Sequence, residues 1–422
     1  MIYKLDAKRY LIRAVALLLA LSLAAGLFAS CGKAEESAVE KDEPVRTAPM
    51  APAAEDAGDD GASYYEALLS KLSLEEKIGQ LFIIRPDQVD LSFEPSSQHS
   101  HYSHARTFSE AMQKTLEKYP AGGFIIFDKN IESTAQLLKF TAQMREVLRV
   151  EPFVSVDEEG GSVTRLAHAP SKGFRLKTYK SMASIGATKD PEKAREAGNT
   201  IGSYLKEYGF NLDFAPVADV NTNPRNIVIG DRAFGSDPKL VADMVNAYID
   251  GLHEGGVLSC TKHFPGHGDT SSDTHSGTVV VNKTWEELKK TELVPFIESA
   301  EKTDFIMIAH INLPNATSDG LPASLSKELI TDKLRGELGF DGLVTTDSLA
   351  MGAIQAVYGS AEAAVLALEA GVDVLLMPLD YVGAFEGVLE AVKSGKITEE
   401  RIDQSVLKIL RAKALVTDGS IM

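Results

Sequence analysis

The feature that most constrains the fold is an alternation. Eight short runs of β-branched or apolar residues recur along the chain, roughly at 81–84, 123–127, 153–156, 212–215, 257–261, 305–309, 343–346 and 372–377, with helical patterns between them. Strands alternating with helices pair in parallel, and their right-handed crossovers lay helices over the sheet. Eight strands are what a (β/α)8 barrel needs. An open doubly wound sheet uses the same alternation, and only closure separates the two. Helix starts are well punctuated. Asp190-Pro191 and Asp237-Pro238 set a side-chain acceptor before a first-turn proline, while Ser133 with Gln136 and Thr284 with Glu287 have capping-box spacing.

Both architectures bind ligands at strand C-termini, so the residues there are the first candidates for chemistry. Those positions carry Asp157, Asp219, Lys262, His263, His310 and Asp347. Asp219 and His310 are compatible with either a place in the pocket or a buried, satisfied polar role. Arg85, Asp128 and Met351 read as core or loop residues. Glu158 and Glu159 read as a solvated acidic turn.

The 422 residues are 44% hydrophobic and 24% charged, enough to bury a sizeable core. A formal charge of −17 opposes phosphodiester backbones, so nucleic acid is excluded as a partner. A locally basic pocket around Arg165, Arg232 and Lys262 remains compatible with that balance.

The first 31 residues have the build of an export signal: Lys4, Lys8, Arg9 and Arg13 precede an apolar run over 14–27, which is short for a membrane span, and small residues lead into Cys31. Ala29-Ser30-Cys31 resembles the cleavage box of bacterial lipoproteins, whose cysteine is lipidated and becomes the first mature residue; Phe28 and Ser30 depart from its usual residues. An uncleaved anchor and an ordinary secretory signal stay open as alternatives. Residues 32–63, rich in Ala, Glu, Asp and Pro, read as a flexible linker, which places the folded body at 64–422. The expectation is therefore an exported protein, lipid-anchored to a bacterial membrane outside the cytoplasm. Cys260 is the only other cysteine, so no disulfide framework exists, and it reads as a small core residue.

The densest chemistry follows the fifth strand. Residues 262–277 read KHFPGHGDTSSDTHSG, with three histidines, two aspartates and one lysine. The spacing is not that of a helical zinc motif, and Lys262 would set a cation beside any metal, so no metal is expected. Asp273 and His275, two residues apart, suit a carboxylate that orients an imidazole. His267 and Asp269 are as compatible with holding the loop together as with chemistry.

That segment, with DEEGGSVTRL (157–166), NPRNIVIGDRAFGSD (223–237) and TTDSLAMGAI (345–354), resembles glycoside hydrolase family 3, in particular its bacterial β-N-acetylglucosaminidase branch. The resemblance runs over about 72–412 and implies a TIM-type barrel as a single catalytic domain without the second domain of many relatives. It implies that Asp347 attacks the anomeric carbon, that His275 serves as acid and base with Asp273 as its partner, and that Asp157, Arg165, Arg232, Lys262 and His263 hold the sugar. Some branches take their acid/base from the second domain. With the chain ending at Met422, His275 in the barrel loop is the expected shuttle.

The resemblance implies terminal β-linked N-acetylglucosamine as substrate, from peptidoglycan fragments in the first instance, with no cofactor and a monomeric protein. A phosphorylase working on the same site is the rival enzyme. A lipoprotein that binds cell-wall sugars without cleaving them is the rival from another class. An insertion over 87–106 with His99, His101 and His104 reads as a solvated loop edging the mouth.

Overall fold

The computed structural model describes residues 60–92, 105–270, 277 and 279–417. Cys31 and the signal segment, most of the linker, the three insertion histidines, Asp273 and His275 lie outside the described residues.

Eight parallel strands form the sheet: β1 (Phe82–Ile84), β2 (Gly123–Ile126), β3 (Phe153–Val156), β4 (Leu212–Asp213), β5 (Leu258–Phe264), β6 (Phe305–Ile308), β7 (Leu343–Thr346) and β8 (Leu375–Leu376). From β1 to β7 each pairs with the next in chain order, and β8 pairs with β1 in the register Phe82↔Leu375 and Ile83↔Leu376. The remaining seam, between β7 and β8, is joined by a parallel bridge Thr345↔Val374. Beside it the Thr346 N–H donates to the Val374 carbonyl at 3.1 Å and the Leu376 N–H to Thr346 Oγ1 at 3.1 Å. These bonds close the ring and decide for a (β/α)8 barrel over the open sheet.

Local sequence explains the outer helices. Asp190 caps Pro191–Glu207 through the Glu192 N–H at 3.1 Å, and Asp237 caps Pro238–Glu254 through Lys239 and Leu240 N–H groups at 2.9 and 3.1 Å. The Thr284 and Glu287 box is complete. At Ser133 only half of one forms, because Gln136 turns back to the Glu132 N–H at 2.9 Å instead.

β3 and β5 are buried along their whole length, as strands covered on both faces should be. Phe153 of β3 and Phe305 of β6 meet edge to face with centroids 5.4 Å apart. Near the N-terminal ends of the strands, Lys413 from the helix Glu399–Ala414 donates to Gln80 Oε1 at 2.6 Å and to the Gly122 carbonyl at 2.8 Å. Its ammonium lies 4.9 Å from the centre of the Phe153 ring. Cys260 is a buried free thiol, pushed up in pKa by burial, and fills the core role expected of it.

Candidate active site

A cavity of about 350 Å³ opens where the strands end, in the range of small-molecule sites. Its lining includes Asp157, Arg165, Arg232, Lys262, His263 and Asp347, so six residues singled out in the sequence converge.

β5 supplies two of them. It runs three residues beyond the end expected at 261, to Phe264, with a register shift against β6 between Lys262 and Phe264. In a regular strand neighbouring side chains face opposite ways; the irregularity lets both Lys262 and His263 line the cavity. Lys262 Nζ sits 2.8 Å from Asp157 Oδ1 and 2.7 Å from Glu159 Oε1. Arg232 grips the same Glu159 in bidentate fashion, Nε to Oε2 and Nη2 to Oε1, both at 2.8 Å. Arg165 reaches Asp157 Oδ2 at 3.5 Å and stacks 5.2 Å over the Phe127 ring.

The charges support one another. Burial would raise the Glu159 carboxyl, but Arg232 and Lys262 override it and hold the group well below the carboxylate range. Burial would lower Lys262, and Asp157 with Glu159 instead push it above its ordinary value. Arg232 is likewise held charged, mainly by Glu159 against burial. The result is a fixed set of charged donors and acceptors around a cavity, suited to a ligand bearing several hydroxyls.

Glu158 and Glu159 are the clearest correction to the sequence reading. Neither is solvated: Glu158 is 0% and Glu159 2% exposed. Alternation beyond β3 was the usable signal, because period two sends Asp157 and Glu159 to one side and Glu158 to the other. Glu158 turns into the core, where its carboxylate accepts the N–H groups of Arg165, Leu166 and Ala167 at 2.5, 3.0 and 2.9 Å and the Tyr204 hydroxyl at 2.9 Å. The loop between them turns at Gly160 and Gly161, with φ of 78° and 90°, which side chains other than glycine rarely tolerate.

Asp347 follows β7, its N–H bonded to the Ile308 carbonyl at 2.9 Å and its Oδ1 accepting the Ser348 N–H at 2.7 Å. It caps no helix, since the next one, Gly352–Gln355, is preceded by Met351 at the cap position. His310 does not line the cavity. It is buried with its two ring nitrogens on Ser324 Oγ and the Ser348 carbonyl at 2.7 and 2.8 Å, and so steadies the backbone beside Asp347. Arg85, Met351 and His267 do line it, the first two as buried residues, with Arg85 paired to its loop neighbour Asp87 at 3.2 Å. Asp128 is exposed, and Asp269 pairs with Lys283 at 3.1 Å away from the cavity lining. Aromatic Phe127 in the lining was missed because nothing in its sequence context marks it.

The family model for the N-terminal domain of glycosyl hydrolase family 3 matches residues 73–412. The chain belongs to glycosyl hydrolase family 3. Among family relatives, beta-hexosaminidase A of Pseudoalteromonas piscicida is 32% identical over 343 residues, 74% of this chain and 56% of that protein. The beta-hexosaminidase of Pseudomonas aeruginosa is 35% identical over 294 residues, 69% of this chain and 85% of the relative. This chain thus spans little more than half of the first protein and most of the second. A solved family 3 beta-N-acetylglucosaminidase from Paenibacillus sp. str. FPU-7 superposes with a TM-score of 0.74 at 37% identity, covering 83% of this chain and 64% of that one. A beta-glucoside phosphorylase with bound 2FGlc superposes with a TM-score of 0.72 at 26% identity, covering 85% and 62%.

Proposed function

We propose that this family 3 protein is a retaining exo-β-N-acetylglucosaminidase, a β-N-acetylhexosaminidase that removes terminal β-linked N-acetylglucosamine through a covalent intermediate on Asp347. The observation that carries the reading is the convergence of Asp347 with Asp157, Arg165, Arg232, Lys262 and His263 on one cavity. The beta-hexosaminidase names of relatives 32% and 35% identical support the sugar assignment.

In the first step the Asp347 carboxylate bonds to the anomeric carbon as the glycosidic C–O bond breaks, and protonated His275 gives its proton to the leaving oxygen. In the second, neutral His275 takes a proton from water, whose oxygen bonds to the anomeric carbon and releases Asp347. Asp273 orients the imidazole. The roles of His275 and Asp273 rest on their motif position and their spacing. Asp157, Arg165, Arg232, Lys262 and His263 hold the sugar hydroxyls.

The decisive experiment is mass spectrometry after trapping with a 2-acetamido-5-fluoro glycosyl donor. A glycosyl label on Asp347 is expected; a label elsewhere overturns the assignment. The likeness to a phosphorylase structure keeps one second reading in view. If sugar 1-phosphate forms, and turnover requires added phosphate, the hydrolase reading fails.

The N-terminal features support export, lipidation at Cys31, a tether over 32–63, and peptidoglycan fragments outside the cytoplasm as substrate. Cys31→Ser is expected to abolish labelling by a fatty-acid probe and move the protein from the membrane to the soluble fraction. Retained labelling would exclude Cys31 as the anchor.

A further inference from the structure

Asp219 is fully buried and absent from the cavity lining, yet it grips the two histidines of the β5 end that are in it. Its Oδ2 lies 2.7 Å from His263 Nδ1. Its Oδ1 accepts the His267 backbone N–H at 2.6 Å and the His263 backbone N–H at 3.4 Å. With two backbone N–H donors on Oδ1, the buried group acts as an accepting carboxylate. An ionised carboxylate only accepts hydrogen bonds, so His263 Nδ1 must carry a hydrogen.

The other ring nitrogen meets the opposite requirement. His263 Nε2 faces Arg232 Nη2 at 3.4 Å, and a guanidinium only donates. Arg232 is itself fixed by its bidentate contact with Glu159. The neutral imidazole with hydrogen on Nδ1 is the one form that satisfies both neighbours. The backbone around it is equally confined: a Cβ on Gly268 would stand 1.9 Å from the Val220 carbonyl oxygen, so the loop stem lies directly against the segment that carries Asp219.

We propose that Asp219 is a positioning residue for the reaction: it locks His263 in the Nδ1–H tautomer, so that Nε2 is an acceptor that can exchange its 3.4 Å contact with Arg232 for a sugar hydroxyl, and it pins the backbone at His267. The proposal rests on reading this cavity as the sugar site. Without Asp219 only the long 3.4 Å contact with Arg232 favours this tautomer, and an Nε2–H would point a donor at the donors of Arg232.

The test is Asp219→Asn, which keeps the shape but adds a donor. With its carbonyl on the His267 N–H, the new amide NH2 faces His263 Nδ1 and drives the hydrogen to Nε2. Long-range 1H–15N spectra of the labelled full chain, with the His263 signals identified by their loss in His263→Gln, read the tautomer directly.

Wild type is expected to show a protonated Nδ1 and a bare Nε2. The Asn variant is expected to show the reverse, with kcat/KM on an aryl N-acetylglucosaminide lowered roughly 100-fold. A wild-type spectrum with hydrogen on Nε2, or on both nitrogens, at neutral pH overturns the proposal even if the variant does not fold. An Asn variant that keeps the wild-type tautomer and kcat/KM within about threefold also overturns it. Should wild type show the stated tautomer but cleave no N-acetylglucosaminide, the proposed activity fails and the Asp219–His263 lock stands.

Discussion

Lys262 and Lys413 are both buried, at opposite ends of one barrel, and their ammonium groups are driven in opposite directions. At the C-terminal end, burial acts against Lys262, but Asp157 and Glu159 raise it above its ordinary value. At the N-terminal end, burial lowers Lys413 to about 7, with the charge of Glu151 acting in the other direction without offsetting it. Its partners are neutral: an amide oxygen, a peptide carbonyl and an aromatic ring. A buried lysine keeps its charge where carboxylates face it and tends to lose it where only dipoles do. One end of the barrel is therefore organised to hold ions around a cavity, and the other to fill space with a donor.

Four substitutions test that contrast, in decreasing order of expected effect. Asp347→Ala is expected to lower kcat on the order of 10⁴-fold while leaving thermal unfolding near wild type, because the role proposed for the residue at the ionic end is chemical. Turnover unaffected by the change would remove Asp347 from the mechanism.

Lys262→Met strips the shared counter-charge from Asp157 and Glu159. Denaturant unfolding should show a loss of about 3–5 kcal/mol, and sugar binding should weaken with it. A neutral effect would mean that Arg232 and Arg165 alone compensate both carboxylates.

Lys413→Met probes the other end, and its signature is a dependence on pH. Below about pH 7 both folded and unfolded chains are protonated at Lys413 and the burial penalty is fully present. Between about 7 and the ordinary lysine value of 10.5 the unfolded chain binds the extra proton, so wild-type stability rises with pH. Relative to the Met variant, wild type should gain up to about 5 kcal/mol across that window. A difference that is flat with pH would show Lys413 protonated throughout.

Ser133→Ala lies on the outer ring, away from both ends. Losing the cap on the Gln136 N–H should cost about 1 kcal/mol in unfolding and leave kcat/KM unchanged. A change in turnover would reveal coupling between that helix and the cavity.

Much of this molecule was legible in the chain. The alternation of eight apolar runs with helical segments follows from backbone periodicity, and residues at strand ends become site candidates because ligands bind there. Motif resemblance then singled out Asp347 and its sugar-binding set, six of which share the cavity. What periodicity cannot carry is contact across large sequence separation. Closure depended on Val374 meeting Thr345, and the burial of Glu159 on Arg232 and Lys262 arriving from two other segments. An acidic turn looks solvated until its cations are in place.

The sequence by itself determined the repeating strand-and-helix order, the capped helices, and which polar groups stand at the strand ends, since these follow from local spacing and side-chain type. Only the tertiary structure decided that the ring closes, which carboxylates are buried, which lysine is held charged, and which nitrogen of His263 carries hydrogen. Each of those is set by the electric and steric surroundings that distant segments bring together.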